Sequence, residues 1–188
     1  MNDNLFFDHS QLKRCGVNVI IGKTVRIRYP ELVEIGDNVI IDDFTYISTS
    51  LMLRSYVHIT AGCKLIGGRN ALVVMGTFST LAPNVVLAAG SDDYITGLAT
   101  PMVPMRFKGN AVVGRILIGE HCIVGANSTV LPNVTFGDGA VLGAQSLAKK
   151  DLDPWTIYAG VPARALKKRP LEEIKAFERQ FLSSTKNA

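Results

Sequence analysis

From Ile118 to Leu147 the chain repeats itself every six residues, as IGEHCI VGANST VLPNVT FGDGAV LGAQSL. The first place of each unit is apolar (Ile118, Val124, Val130, Phe136, Leu142), and the second is glycine except at Leu131. The fifth (Cys122, Ser128, Val134, Ala140, Ser146) is small or β-branched. A six-residue period drifts off the 3.6-residue turn of an α-helix, where each interior glycine would cost about 1 kcal/mol against alanine. A short strand followed by a corner uses the pattern well. The first and fifth places then point inward, and glycine supplies the positive φ or the close approach that a corner needs. One such unit cannot bury its own apolar face, so units stack into a solenoid with a continuous core.

The run IGEHCIVGANSTVLPNVTFGDGAVLGAQSLAKKDLDPWTIYAGVPARALKKR resembles the C-terminal signature of hexapeptide-repeat acetyltransferases, such as the galactoside, maltose and xenobiotic acetyltransferases. The likeness covers roughly residues 17 to 170, and its tail carries the specific motifs: GAQS, then KKD, then AGVPAR. The resemblance implies an all-β fold, a left-handed parallel β-helix built from three units per coil, and a homotrimer. That handedness departs from the usual right-handed crossover and comes only from the resemblance.

Along the chain, residues 1 to 16 lack the period and read as an N-terminal arm or cap. The solenoid is expected over residues 17 to 147. Its first places are Ile21 and Ile27, then after a slip near Tyr29 they are Ile35, Ile41, Ile47, Leu53, Ile59 and Leu65. Beyond Gly67 and Gly68 the register shifts and continues at Met75, Leu81 and Leu87. Residues 88 to 112 then break the spacing and read as an extruded loop of the kind that carries function. Residues 148 to 188 are expected as a cofactor-side segment, where Pro154 and Pro162 exclude a continuous helix, followed by a C-terminal α-helix. That helix starts at Pro170 and aligns Leu171, Ile174, Phe177, Phe181 and Leu182 on one face.

The 188 residues form one domain by length, and the low aromatic content of 7% suits a narrow core of Val, Ile and Leu. No segment reads as a membrane span or signal peptide, so a cytoplasmic protein with at most peripheral membrane contact is expected. The charge of +4 is concentrated in Lys149, Lys150, Arg164, Lys167, Lys168 and Arg169. That clustering suits a small polyanion better than nucleic acid, since no reading element accompanies it; a solvated face is the plain alternative for any one lysine. Cys15, Cys63 and Cys122 lack metal spacing and read as buried thiols.

Acyl transfer needs an acceptor held against the carbonyl, a base for its proton and donors for the oxyanion. Of the three histidines, His9 lies in the aperiodic arm and His121 occupies a fourth place that suggests a structural or cofactor-edge role. His58 precedes Ile59 on an outward strand position and is the candidate base, with an exposed strand histidine as the alternative. Relatives of the galactoside type usually carry their histidine near the long loop, where this chain has GSDDYITG and none. Relatives acting on polysaccharide or nucleotide-sugar acceptors look similar in pairing a DDY loop with an upstream histidine. Asp92 and Asp93 are therefore expected either to orient His58 or, with Tyr94, to bind the acceptor; a solvated turn is the alternative for a loop aspartate.

By resemblance, acetyl-CoA lies along small residues Gly125, Ala126, Gly143, Ala144 and Ser146. Lys149, Lys150, Arg164, Lys167 and Lys168 lie towards its phosphates, and no metal is required. The first expectation is O-acetylation of a sugar hydroxyl in a surface polysaccharide unit or its precursor. The alternative is N-acetylation of an amino-sugar nucleotide. A metalloenzyme sharing the solenoid would need three converging histidines, and a bare scaffold would need only the repeat. Outward Phe44, Tyr46, Met52 and Tyr56 are expected to pack between the chains of the trimer.

Overall fold

The computed structural model describes residues 7 to 185, so residues 1 to 6 of the expected arm lie outside it. The all-β expectation holds, with a left-handed parallel β-helix of about seven coils and, among the described residues, one α-helix at the C-terminal end. Three faces of parallel strands run its length, and faces one and three join into one sheet through the long strands Tyr46–Leu53 and Lys64–Met75. Face one stacks the strand ends Cys15, Ile35, Leu53, Met75, Ile118 and Phe136, closing with Leu152. Face two stacks Ile21, Ile41, Ile59, Leu81, Val124, Leu142 and Tyr158. Face three stacks Ile27, Ile47, Leu65, Leu87, Val130 and Ala148. Between Ile35 and Leu152 every one of these residues is at most 4% exposed. Burying one Leu or Ile side chain contributes about 1.5 to 3 kcal/mol, so a column of them supplies the driving force that no single coil possesses.

The fifth places fill the corners of the core, and those with hydroxyls are satisfied internally. Ser128 Oγ donates to Gly143 O at 2.8 Å, and Ser79 Oγ donates to Gly76 O at 2.6 Å. The glycines of the second place serve close approach and not positive φ. A Cβ on Gly125 would lie 2.4 Å from Ala144 N of the next coil. The left-handed backbone instead falls on the fourth place, at Asn18, Asn38, Tyr56, Phe78, His121 and Trp155 before face two. Asn84, Asn127 and Gln145 take it before face three.

At the corner before face two those fourth-place side chains form a ladder. Asn18 Nδ2 donates to Asn38 Oδ1 at 2.8 Å, Tyr56 stacks on Phe78 at 4.9 Å, and Phe78 stacks on His121 at 5.2 Å. Gly139 leaves room for Trp155, whose ring a Cβ there would strike at 2.4 Å. The helix α1 (Leu171–Thr185) lies across this ladder, with Phe181 edge-on to Tyr56 and Phe78. Tyr56 therefore packs within its own chain, while Phe44 remains 73% exposed.

Strand pairing continues past residue 147. Thr156–Ala159 extends face two, and Arg164–Lys168 folds back antiparallel on it to close the solenoid's end. The step from Ala148 to Leu152 is four residues instead of six, which hides this last coil from a six-residue reading. At the other end, the 3-10 turn His9–Gln11 leads into Leu12, which is buried against the first coil.

Candidate functional site

Nearly every irregularity of the solenoid falls at one corner, where face three turns into face one. The 3-10 turn Pro30–Leu32, the Gly67 and Gly68 shift and the extruded segment all leave there. The segment leaves as a hairpin with Gly90–Ser91 antiparallel to Val112–Val113, and it contains a short 3-10 turn at Met105–Phe107. Gly90 is required at its root, because a Cβ would lie 2.8 Å from Gly67 O.

Asp93 organises the loop. Its carboxylate accepts hydrogen bonds from the amides of Ile95 (2.9 Å), Thr96 (3.0 Å) and Asn110 (2.9 Å) and from the Thr96 hydroxyl. These bonds, the Thr96 hydroxyl first, hold it well below the usual carboxylate range. Asp92 points elsewhere, with Oδ1 3.6 Å from Lys108 Nζ. A cleft of about 640 Å³ at the hairpin root is bordered by Asp92, Asp93, Tyr94, Leu131, Asn133 and Lys149. Lys149 also borders a second cleft of about 260 Å³ with Lys150, Tyr158 and Arg164. The loop residues and three of the expected basic residues thus lie along one continuous corner.

The rest of the expected set is distributed differently. Gly125, Ala126, Gly143 and Ala144 lie at the turn from face two to face three, and Ala144 to Lys150 spans roughly 20 Å if extended. Ser146 turns inward: its hydroxyl donates to Ala144 O at 3.2 Å and accepts from Gly160 N at 2.9 Å, so its side chain belongs to the core. Lys168 Nζ donates to Thr156 Oγ1 at 2.8 Å, and Lys167 lies beside it on the closing strand.

His58 is not oriented by the loop within its own chain. It lies on face two, opposite the hairpin corner, and its Nε2 is 2.8 Å from Asp42 Oδ2. Ile40 stacks on His58, which brings the outward Asp42 alongside; counting one coil back along the repeat finds it. His121 is 7% exposed, with Nε2 3.2 Å from Lys175 Nζ and 3.3 Å from Glu178. The Lys175 ammonium occupies the centre of the Glu120, His121 and Glu178 cluster, so this histidine is committed to docking α1. Burial pushes the Cys122 thiol up to about 12, as expected of a core residue.

No protein-family model matches the chain. It is 31% identical over 175 residues to the dTDP-4-amino-4,6-dideoxy-D-glucose acyltransferase of Escherichia coli, covering 87% of this chain and 88% of that protein. It is 32% identical over 126 residues to the putative lipopolysaccharide biosynthesis O-acetyl transferase WbbJ of Escherichia coli K12, covering 65% and 60% respectively. Among solved structures it resembles AntD, an N-acyltransferase from Bacillus cereus in complex with dTDP and 3-hydroxybutyryl-CoA. The identity is 35% over 97% of this chain and 99% of that one, with a TM-score of 0.91. A point variant of AntD holding dTDP-4-amino-4,6-dideoxyglucose and coenzyme A matches with a TM-score of 0.89.

Proposed function

Because the chain belongs to the hexapeptide-repeat acyltransferases and so draws its acyl group from a coenzyme A thioester, we propose that it acylates the amino group of a nucleotide-linked amino sugar. The observation that carries this reading is that carboxylates, and no histidine, border the cleft at the hairpin root. A neutral amine is already a nucleophile and needs little help from a base, whereas a sugar hydroxyl needs its proton removed as it attacks. Asp93, held ionised by four hydrogen bonds that fill its lone pairs, is a poor base and fixes the loop, which leaves Asp92, with Tyr94 beside it, as the carboxylate that can accept from the amine.

In this reading an N–H of the amine donates to a loop carboxylate, which aims the nitrogen lone pair at the thioester carbonyl. The C–N bond forms, the tetrahedral intermediate expels the sulfur, and coenzyme A leaves as the thiol with the proton shed by nitrogen. The phosphates of acetyl-CoA or a longer acyl-CoA lie towards Lys149, Lys150 and Arg164, with Lys167 and Lys168 nearby. Its pantetheine passes the small residues Gly125, Ala126, Gly143 and Ala144. The working unit is a homotrimer in the cytoplasm, where both substrates are made, with no nucleic-acid partner and no more than peripheral membrane contact.

The pair formed by His58 and Asp42 favours a second reading, O-acetylation of a sugar hydroxyl, because a carboxylate-held imidazole is the arrangement a hydroxyl acceptor requires. Coenzyme A release with a dTDP-linked amino sugar and with its hydroxyl analogue separates the two. The first reading expects the amine to be preferred by about 10²-fold or more in kcat/KM, and His58→Ala to change that value little. Equal turnover of the hydroxyl analogue, together with a fall of about 10²-fold or more in His58→Ala, makes the protein an O-acetyltransferase.

A further inference from the structure

The hairpin has two sides. Opposite the cleft that runs towards Lys149 lies another, of about 320 Å³, bounded by the Gly67 and Gly68 turn, Pro101, Met105 and Lys108. Asp92 borders both clefts. The Lys108 side chain is only 13% exposed, and among the described residues its ammonium has one polar neighbour, Asp92 Oδ1 at 3.6 Å, too long for a hydrogen bond. An ammonium has three donors, and this one, on a largely buried stem, reaches the cleft with all three free of hydrogen bonds to the described residues. Gly68 adds to the opening. A Cβ there would meet nothing within 4 Å, so the floor beside the lysine is bare backbone in the left-handed region, with no side chain above it.

We propose that this cleft binds the diphosphate of the nucleotide-linked acceptor through Lys108, so that the hairpin separates donor from acceptor and Asp92 stands where they meet. The inference rests on the amino-sugar reading and deepens it. An amino-sugar nucleotide carries an amine at one end of the sugar and phosphates at the other, and the Asp92 carboxylate and Lys108 ammonium present the complementary pair of charges side by side. Phosphate oxygens supply the charged acceptors that the ammonium lacks. Asp92 then takes the amine on the side that faces the donor cleft.

Calorimetric titration of the full-length protein with dTDP, UDP and inorganic pyrophosphate tests this, alongside a titration with coenzyme A. Lys108→Met is expected to weaken dTDP by about tenfold or more, the loss of one charge-assisted phosphate contact, and to leave coenzyme A within about twofold. Lys108→Arg is expected to recover part of the dTDP affinity, and Lys13→Met, far along the solenoid, to alter neither. Comparable dTDP and UDP affinities with weaker pyrophosphate assign the base a secondary role and support the site. Unchanged dTDP affinity in Lys108→Met overturns the inference, as does an equal loss of dTDP and coenzyme A. The amino-sugar reading is judged separately by acyl transfer: transfer without any dependence of dTDP binding on Lys108 sinks only the cleft assignment. Lys108-dependent dTDP binding without transfer to any amino sugar sinks only the reading.

Discussion

At most corners before faces two and three one residue enters the left-handed backbone region, and the chain assigns that task to the fourth place. Asn127, with φ of 58°, turns the fifth coil from face two to face three, and its amide donates to Pro83 O at 3.0 Å. Non-glycine residues pay roughly 1 to 2 kcal/mol for that conformation, and asparagine is among the few that tolerate it. Asn127→Ala is therefore expected to destabilise by about 1 kcal/mol and Asn127→Gly to change stability little, read from urea midpoints at constant m. Equal losses in both would place the energy in the side chain and not in the turn. Charge gives a second expectation at this scale. Lys150→Ala and Arg164→Ala should each weaken coenzyme A by about 1 to 2 kcal/mol if each makes one charge-assisted phosphate bond, with a smaller effect in high salt. Calorimetric affinities that are unchanged in both variants would move the nucleotide end of the cofactor away from this corner.

Helix α1 is held by little besides its contacts with the fourth-place ladder, so it should release before the solenoid melts. Aromatic pairs add about 0.5 to 1.5 kcal/mol each beyond burial, and Phe181 makes two. The Lys175 ammonium lowers the pKa of Glu178 from its ordinary 4.5, and Glu178 raises that of Lys175 above its ordinary 10.5. A depressed carboxylate contributes stability above its unfolded value and loses it as pH falls through the folded one; a raised lysine loses its contribution as pH climbs past its folded value. Docking is thus fully supported between about 4.5 and 10.5 and weakens outside that window. Phe181→Ala should expose α1 to limited proteolysis at neutral pH while the main melting transition stays in place, and wild type should acquire the same sensitivity in acid. A helix cut no faster in either case would mean that the ladder does not hold it. The helix and the solenoid phases from Ile35 to Leu142 were legible in the sequence, because one residue class recurs at one place. The last coil was not, since Pro154 and a four-residue step conceal Leu152 and Tyr158. Asp42 was reachable only by stacking one coil on another, and Lys108 carries no signal at all: a lone lysine in an aperiodic loop acquires meaning only from the cleft around it.

The outward side of face two carries Ile20, Ile40, His58, Thr80 and Ile123 in register, an apolar stripe interrupted by His58 and Thr80. On the opposite corner the hairpin presents Tyr94 and Met102, 82% and 88% exposed, together with Ile95 and Met105. Two unlike apolar surfaces on opposite sides of a prism suit a head-to-tail contact, which closes into a ring, better than a two-fold contact of one patch with itself. Such a ring would set the stripe of one chain against the hairpin of the next and bring His58 with Asp42 towards a neighbour's Asp92. Light scattering at micromolar concentration should therefore give three times the 20.4 kDa of the chain. Ile40→Lys with Ile123→Lys should give a folded monomer, because both side chains point outward and leave the core untouched. If the site is shared, that monomer should lose acyl transfer while keeping the circular dichroism of the parent. A wild-type monomer would overturn the ring, and a fully active double variant would confine the site to one chain and set His58 apart from it.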